Sequence, residues 1–169
     1  MCIIHYMQDT HNSPEEFDID TTLGYAVNRT SVILRQELQR RFRAANQRLT
    51  VEEWALMGQL WKENGLSRQQ LADRTIKDQT TVTRLLDSLV RKGFVRREQD
   101  ATDRRVVLNL LTESGRQLES RLVPAALEMM ADSSYGISEE DLATTVRTLR
   151  RIQENLLQSA ANGEGERGV

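Results

Sequence analysis

Two adjacent arginines, Arg104 and Arg105, follow a short segment that carries carboxylates at Asp100 and Asp103. An arginine on a protruding turn can enter the minor groove of DNA, where the electrostatic potential is most negative. A carboxylate at Asp103, two residues before Arg105, can hold the turn and orient the guanidinium. A solvated charged loop has the same composition, so the rest of the chain has to distinguish the two interpretations.

A second polar group earlier in the chain has side chains that suit the major groove. Small hydroxyls and amides bond base edges or phosphates, and an arginine can donate two hydrogen bonds to a guanine. The predicted DNA-contacting residues of this group are Gln79, Thr80, Thr81, Thr83 and Arg84. The polar face of an ordinary amphipathic helix would look similar, and such helices also serve as packing scaffolds.

The elements that would position these residues are two short helices joined by a tight turn. Ser67 and Gln70 form a capping box that starts the first helix, and Asp78 is a good N-cap for the second. Gly93 is expected to end the second helix. Two short helices so arranged predict a helix-turn-helix. The residues expected on their inward faces are Leu71, Ala72, Val82, Leu85, Leu86 and Leu89.

After Gly93 the apolar period changes from helical to alternating. Two β-prone runs, FVRREQ and RVVLNLL, are separated by the turn-rich segment DATD. In the second run we expect Val106, Leu108 and Leu110 to point inward. The pattern predicts a β-hairpin, or wing, attached to the helix-turn-helix, with Arg104 and Arg105 near its tip.

Helices are predicted on both sides of this unit. One runs from about Thr22 to Ala45, and a second begins at the Thr50–Glu53 capping box and ends near Gly65. Trp54, Met57, Leu60 and Trp61 are expected to form the buried face of the second helix. The last two helices begin at Thr112 and Ser138, and Pro124 predicts a kink or break within the former. The outer helices carry long apolar stripes, which predicts association between chains.

The length of 169 residues suits one domain, and the composition is that of a globular protein. Positive charge is concentrated at residues 67–111, which hold ten Lys or Arg and six Asp or Glu. The other residues hold 13 basic and 19 acidic side chains, which completes the formal net charge of −2. This asymmetry is typical of a protein with one surface that faces a polyanion, although solvated helices can also carry a basic excess.

The sequence favours a cytoplasmic protein without a membrane partner. No segment approaches the roughly 18 to 20 consecutive apolar residues of a membrane span. The first residues lack the basic region of a signal peptide. Cys2 is the single cysteine, which excludes an intramolecular disulfide and fits a reducing compartment.

Residues 1–20 are predicted to be a flexible acidic arm, and residues 159–169 a flexible tail. The arm holds both histidines and the single cysteine of the chain. The potential metal ligands Cys2, His5, Asp9 and His11 fit no standard zinc spacing, so we expect no metal or cofactor. With no nucleophile–base pair and no phosphate-binding loop, the sequence does not predict an enzyme.

Residues 66–115 resemble the winged-helix core of the MarR family of bacterial transcription regulators. The motifs that carry the resemblance are VTRLLDSLVRKGFVRR and the D-x-R pair of Asp103 and Arg105, followed by LTESG. The outer helices also agree in order and length, so the resemblance spans about residues 22–157. It implies that Arg105 is a minor-groove arginine with Asp103 as its orienting carboxylate. It also places Thr83 and Arg84 where the recognition helix meets DNA.

The architecture implied by the resemblance is mainly α with a small β-wing, in a single domain at residues 21–158. The winged helix-turn-helix core would occupy about residues 50–111. N- and C-terminal dimerisation helices, at about residues 22–46 and 112–158, would form a homodimer that binds a pseudo-palindromic DNA operator.

The resemblance further implies a transcriptional regulator, most simply a ligand-responsive repressor released by a small aromatic or phenolic effector. Tyr25, Arg29, Trp54 and Met57 could line an effector pocket, although their spacing equally fits core packing. One alternative is a winged-helix protein-interaction module without DNA binding. Another is an oxidant sensor using Cys2, but Cys2 lies far upstream of the first helix, unlike the reactive cysteine of such sensors.

Overall fold

The computed structural model describes residues 18–165, with side chains described as far as residue 159. A short 3-10 helix at Ile19–Thr21 precedes the first α-helix. The helices are α1 (Leu23–Ala44), α2 (Val51–Lys62), α3 (Arg68–Thr75), α4 (Gln79–Arg91), α5 (Glu113–Ser133) and α6 (Glu139–Gly165). The strands are β1 (Leu66–Ser67), β2 (Val95–Gln99) and β3 (Val107–Leu111). This mainly helical fold with a small antiparallel sheet confirms the predicted fold class. Within the described residues, no helix has the length and apolar character needed to cross a membrane.

The helix starts follow from local capping chemistry, as predicted. The Thr50 hydroxyl accepts from the Glu53 N–H at 3.2 Å, and the Glu53 carboxylate accepts from the Thr50 N–H at 2.8 Å. Ser67 and Gln70 form the equivalent box at the start of α3. The predicted inward residues of α3 and α4 are all buried, which seats both helices on the core. Helix α2 ends at its C-cap Glu63, and Gly65 lies two residues further with a φ of 87°.

The sheet has the order β1-β3-β2, with β3 in the centre. The predicted inward face is wrong for the second half of the return strand, because Asn109 and Leu111 are only 2% and 4% exposed, while Leu108 and Leu110 are half-buried. Val107 is 44% exposed, as expected for an outward residue. Strand β1, which the sequence did not predict, provides the physical reason. The Asn109 Nδ2 donates to the Leu66 carbonyl at 2.9 Å, so this polar side chain is held on the buried face.

The junction between the wing and α5 explains the glycine of LTESG. A Cβ on Gly115 would clash with the carbonyl oxygen of Phe94, so α5 can begin this close to β2 only with glycine there. The Trp61 Nε1 donates to the Gly115 carbonyl at 2.9 Å, and the Thr112 hydroxyl donates to the Gly93 carbonyl at 2.6 Å. These contacts fix the first turn of α5 within the winged helix.

The chain forms two compact units, and the boundary falls between Arg116 and Gln117. The second unit comprises the remainder of α5 and α6. Helix α5 continues through Pro124, so the helix break that this proline could cause does not occur. Helix α6 begins after Ser138, whose hydroxyl accepts from the Asp141 N–H at 3.1 Å. It extends to Gly165, so the first part of the predicted tail is helical.

Apolar side chains are exposed on the outer helices. In α1, Leu38 and Phe42 are buried, but Leu23 is 44% and Val27 41% exposed. The predicted inward stripe of α1 therefore holds only for its C-terminal half. In α6, several residues of the predicted apolar stripe are exposed or half-buried, including Val146 and Leu156.

Candidate nucleic-acid interface

The first turn of α4 is fixed by Asp78. Its carboxylate accepts from the Thr81 N–H at 2.8 Å, as predicted for an N-cap. This backbone hydrogen bond, with a further one from the Thr81 hydroxyl, lowers the pKa of Asp78 below its ordinary value. The Asp78 carboxylate is therefore ionised at neutral pH, and its negative charge stabilises the unpaired N–H groups at the start of α4.

The five predicted recognition residues occupy the first two turns of α4, and none is buried. Gln79 donates through its side-chain amide to the Gln69 side chain of α3. The Thr83 hydroxyl donates to the Gln79 carbonyl at 2.8 Å, which leaves its oxygen lone pairs able to accept. Arg84 is exposed, and its guanidinium has no hydrogen-bond or ion-pair partner among the described residues. Arg84 is thus available to an anionic or acceptor group outside the chain.

The tip of the wing is held by Asp100. Its Oδ1 accepts from the Thr102 N–H at 2.7 Å, from the Thr102 hydroxyl and from the Asp103 N–H at 3.0 Å. These bonds, with the Thr102 hydroxyl as the largest contribution, lower the pKa of Asp100. The Asp100 N–H donates to the Val106 carbonyl at 2.9 Å and closes the hairpin. The aspartate of the turn therefore has a structural role.

Asp103 orients Arg105. The Asp103 carboxylate accepts from the Arg105 backbone N–H at 3.0 Å, from Nε at 3.1 Å and from one Nη at 3.2 Å. The Arg105 side chain is nonetheless 91% exposed. The Arg105 guanidinium lowers the pKa of Asp103, so the carboxylate is charged at neutral pH. The guanidinium is thus held in one orientation while it projects into solvent. Arg104, its neighbour, is exposed and has no partner among the described residues.

Two ion pairs that hold α4 follow from no pattern in the sequence. Arg97 of β2 donates to Asp87 of α4 at 2.7 Å, which links the wing to the recognition helix. Lys92, the C-cap of α4, donates to Glu53 of α2. The chain order gives no signal for either pair, because their partners are ten and 39 residues apart. Strand and helix periodicity does not define such tertiary neighbours.

The ion pairs divide the ten basic residues of 67–111 into two sets. Five form ion pairs with carboxylates of the same chain, and they are Arg74, Lys92, Arg96, Arg97 and Arg105. The other five have no hydrogen-bond or ion-pair partner among residues 18–165, and they are Arg68, Lys77, Arg84, Arg91 and Arg104. The local positive excess thus includes side chains that the fold itself does not use.

The predicted effector-pocket residues lie in two settings. Met57 is completely buried, and the Trp54 ring packs against Phe42 and Trp61 at centroid distances of 5.2 and 5.1 Å. Tyr25 is half-buried and Arg29 exposed in the N-terminal half of α1. In this structure Trp54 and Met57 therefore act as packing residues, and Tyr25 and Arg29 are accessible.

An open groove of about 330 Å³ lies between α1 and the start of α2. Its charged lining residues are Arg35, Arg43 and Glu52, and Arg35 forms an ion pair with Glu52. No cluster of potential metal ligands occurs in the part of the chain that the structure describes. The candidate metal ligands Cys2, His5, Asp9 and His11 lie outside the described residues.

The paired helices with a capped, polar-faced second helix and an arginine-tipped hairpin define a winged helix-turn-helix protein. Residues 49–107 match the model of the MarR family. This part of the chain is therefore similar to the MarR family. The members of this family are DNA-binding transcription regulators and not enzymes.

A transcriptional regulator is similar to less than half of the chain. The chain is 37% identical over 78 residues to the HTH-type transcriptional regulator TtmR of Methylorubrum extorquens. The matched stretch covers 46% of this chain and only 40% of that relative's length.

Solved structures share the fold over most of the chain. BpsR of Bordetella bronchiseptica, whose DNA binding is regulated by 6-hydroxynicotinic acid, superposes with a TM-score of 0.75 at 23% identity and covers 83% of this chain and 98% of its own. A MarR-family regulator from Silicibacter pomeroyi gives a TM-score of 0.69 at 25% identity, over 85% of this chain and 96% of its own.

Proposed function

We propose that this chain is a sequence-specific transcriptional regulator that binds an inverted-repeat operator in double-stranded DNA as a homodimer. The observation that carries the proposal is the Arg105 side chain, which is 91% exposed and yet oriented by two hydrogen bonds from its guanidinium to Asp103, with a third from the Arg105 backbone N–H. An arginine held in this way on a hairpin suits insertion into a narrow minor groove. Arg84 and the hydroxyls on α4 suit the adjacent major groove.

The homodimer is supported by the exposed apolar residues of the outer helices. Leu23 and Val27 of α1 and Val146 and Leu156 of α6 are each more than 40% exposed. Apolar surface of this kind on helices is typical of association sites. We expect light scattering after size-exclusion chromatography to give twice the chain mass of 19.4 kDa.

The operator is tested by selecting bound sequences from a random duplex library with the full chain. In a two-fold dimer the recognition helices lie about one DNA turn apart, roughly 34 Å, so the enriched sequence should be an inverted repeat. Affinity should fall steeply with salt because phosphate contacts release counterions. Failure to enrich any sequence, and failure to bind duplex DNA at low salt, would favour the protein-interaction module instead.

The regulatory mode we propose is repression relieved by a small aromatic or phenolic acid. The support is the regulation of BpsR by 6-hydroxynicotinic acid and the accessible Tyr25 and Arg29 at the predicted pocket. Arg29 suits a carboxylate and Tyr25 an aromatic ring. A panel of aromatic acids should include one that releases the selected duplex. Arg29→Ala should weaken that release without changing DNA affinity in the absence of the acid.

A further inference from the structure

Glu53 is a buried carboxylate that DNA contact does not explain. It is 2% exposed, and among the described residues the buried polar side chains are Glu53 and Asn109. Burial of a carboxylate costs free energy unless hydrogen bonds and an opposite charge compensate for it. A capping box alone does not require a buried side chain. At the start of α3 the side-chain oxygen of Gln70 accepts the equivalent hydrogen bond from the Ser67 N–H, and Gln70 is exposed.

The partners of Glu53 come from two separate helices. Its carboxylate accepts from the Thr50 N–H at the start of α2 and from the Lys92 ammonium, with 2.6 Å from Nζ to each oxygen. The Ser88 side chain also interacts with this carboxylate and lowers its pKa. Burial raises the pKa of Glu53, but the bonds from Lys92, Ser88 and Thr50 outweigh this and lower it below the ordinary value. The Glu53 carboxylate is therefore ionised at neutral pH. We refer to Glu53, Thr50, Ser88 and Lys92 as the Glu53 cluster.

The same segment is attached to α1. The Gln39 side chain donates to the Leu49 carbonyl at 2.9 Å and accepts from the Val51 N–H at 3.3 Å. These two residues flank Thr50. Polar contacts thus continue from α1 through the start of α2 to the last turn of α4, all within the first compact unit.

Two exposed polar contacts join α4 to its neighbours, from Gln79 to Gln69 of α3 and from Arg97 of β2 to Asp87. The contacts that seat α4 on the buried core, apart from the Glu53 cluster, are apolar. Val82, Leu85, Leu86 and Leu89 bury one face of the helix, but apolar packing tolerates small rotations and shifts better than directional bonds do. Lys92 is the C-cap of α4, and its side chain is 27% exposed. The Glu53 cluster therefore holds the end of α4 opposite to the predicted recognition residues.

We propose that Glu53 is a positioning residue for DNA recognition: through Ser88 and Lys92 it sets the position of α4, and it does not itself contact DNA. This inference rests on the proposed function. It predicts that loss of the cluster reduces discrimination between operator and other DNA more than it reduces binding to DNA in general. A small displacement of α4 misaligns base contacts, whereas phosphate attraction tolerates it.

The main competing role is a direct contact between Lys92 and a DNA phosphate. The variants that separate the two roles are Glu53→Gln, Lys92→Met and the double variant. Arg91→Met is the matched control, because it removes one cation from the adjacent exposed position. Fluorescence anisotropy measures affinity for the selected operator and for an unrelated duplex at several salt concentrations.

If Glu53 positions α4, each single variant should lower the ratio of operator to non-specific affinity by about tenfold, as expected for one misaligned base contact. The double variant should lose no more than the larger single effect, because both changes break one interaction. The salt slope should stay unchanged in Glu53→Gln. If Lys92 contacts phosphate, Lys92→Met should lower both affinities and reduce the slope by about 0.9, and Glu53→Gln should not reproduce this. That pattern would overturn the inference.

Ser88→Ala provides a test that leaves all charges in place, should the buried-charge variants unfold. It should lower the affinity ratio by a smaller factor than Glu53→Gln, with urea denaturation confirming that the protein is folded. An unchanged ratio in folded Ser88→Ala would contradict the inference. If the wild-type protein binds no DNA, the proposed function fails and this inference with it. If the wild type binds and the folded variants keep its ratio, the inference alone fails.

Discussion

The recognition helix and the wing present their arginines in different ways. Arg84 stands on α4, which is seated by a buried apolar face and by the Glu53 cluster, and its guanidinium has no partner among the described residues. Arg105 stands on a thin hairpin, and three hydrogen bonds to Asp103 hold it although it is 91% exposed. Because the packing of α4 fixes its backbone, Arg84 is positioned without a partner for its side chain. The hairpin does not pack in this way, so the Asp103 carboxylate limits the orientations of the Arg105 side chain.

The largest expected effect is that of Arg105→Ala. Removing the guanidinium should weaken operator binding about 30-fold, within the range of about 1 to 3 kcal/mol for an arginine contact in a groove. The dimer should remain intact, as checked by light scattering. Arg104→Ala is the control, because Arg104 is adjacent, exposed and unpaired among the described residues. Equal effects of the two variants would show that the wing contributes only general positive charge.

Arg84→Ala should cost about tenfold in operator affinity and relax the preference at one base position. Arg91→Ala, at the other end of α4, should not change the preference at any position. Repeating the duplex selection with each variant measures this. A loss for Arg84→Ala that is uniform across sequences would identify a phosphate contact. In that case α4 would not read a base through Arg84, and this difference from the wing would not hold.

Asp103→Asn tests the orienting role directly and should reduce operator affinity severalfold, less than Arg105→Ala. Because Arg105 lowers the pKa of Asp103, the contact is present above the ordinary carboxyl pKa and is lost as pH falls through the lowered value. We therefore expect the pair to be unaffected between pH 5 and 8. A carboxyl NMR titration should show the pKa of Asp103 rising towards the ordinary value of an aspartate in Arg105→Ala. An unchanged pKa would mean that Arg105 does not hold this carboxylate.

The local parts of this site were predictable from the sequence, and the long-range parts were not. The N-cap Asp78 and the capping boxes involve residues three apart, so the sequence displays them directly. The alternation along β3 predicts an outward Asn109, but its amide donates to the Leu66 carbonyl and is buried. That carbonyl lies on a two-residue strand, which is too short to give a pattern in the sequence. The Glu53–Lys92 pair joins residues 39 apart and depends on how α2 and α4 pack.

A last difference between the two regions concerns backbone strain. Ile76, in the turn that leads into α4, has φ 52° and ψ 50°, a left-handed conformation that β-branched residues rarely adopt. The other non-glycine residue with positive φ among those described is Asn46, so the tip of the wing has no such strain. The sequence does not indicate the left-handed conformation of Ile76, because a turn of this kind ordinarily carries glycine or asparagine.

The smallest effect is expected from Ile76→Asn, and it should be a gain. Asparagine adopts the left-handed region more readily, and Ile76 is 67% exposed, so little apolar burial is lost. The free energy of unfolding should rise by about 0.5 to 1 kcal/mol, measured by urea denaturation. Ile76→Val retains the β-branch and should give no gain. If Ile76→Asn is more stable but binds the operator more weakly, the exposed isoleucine contributes to DNA binding. The strained backbone before α4 would then have a functional role, which the unstrained tip of the wing lacks.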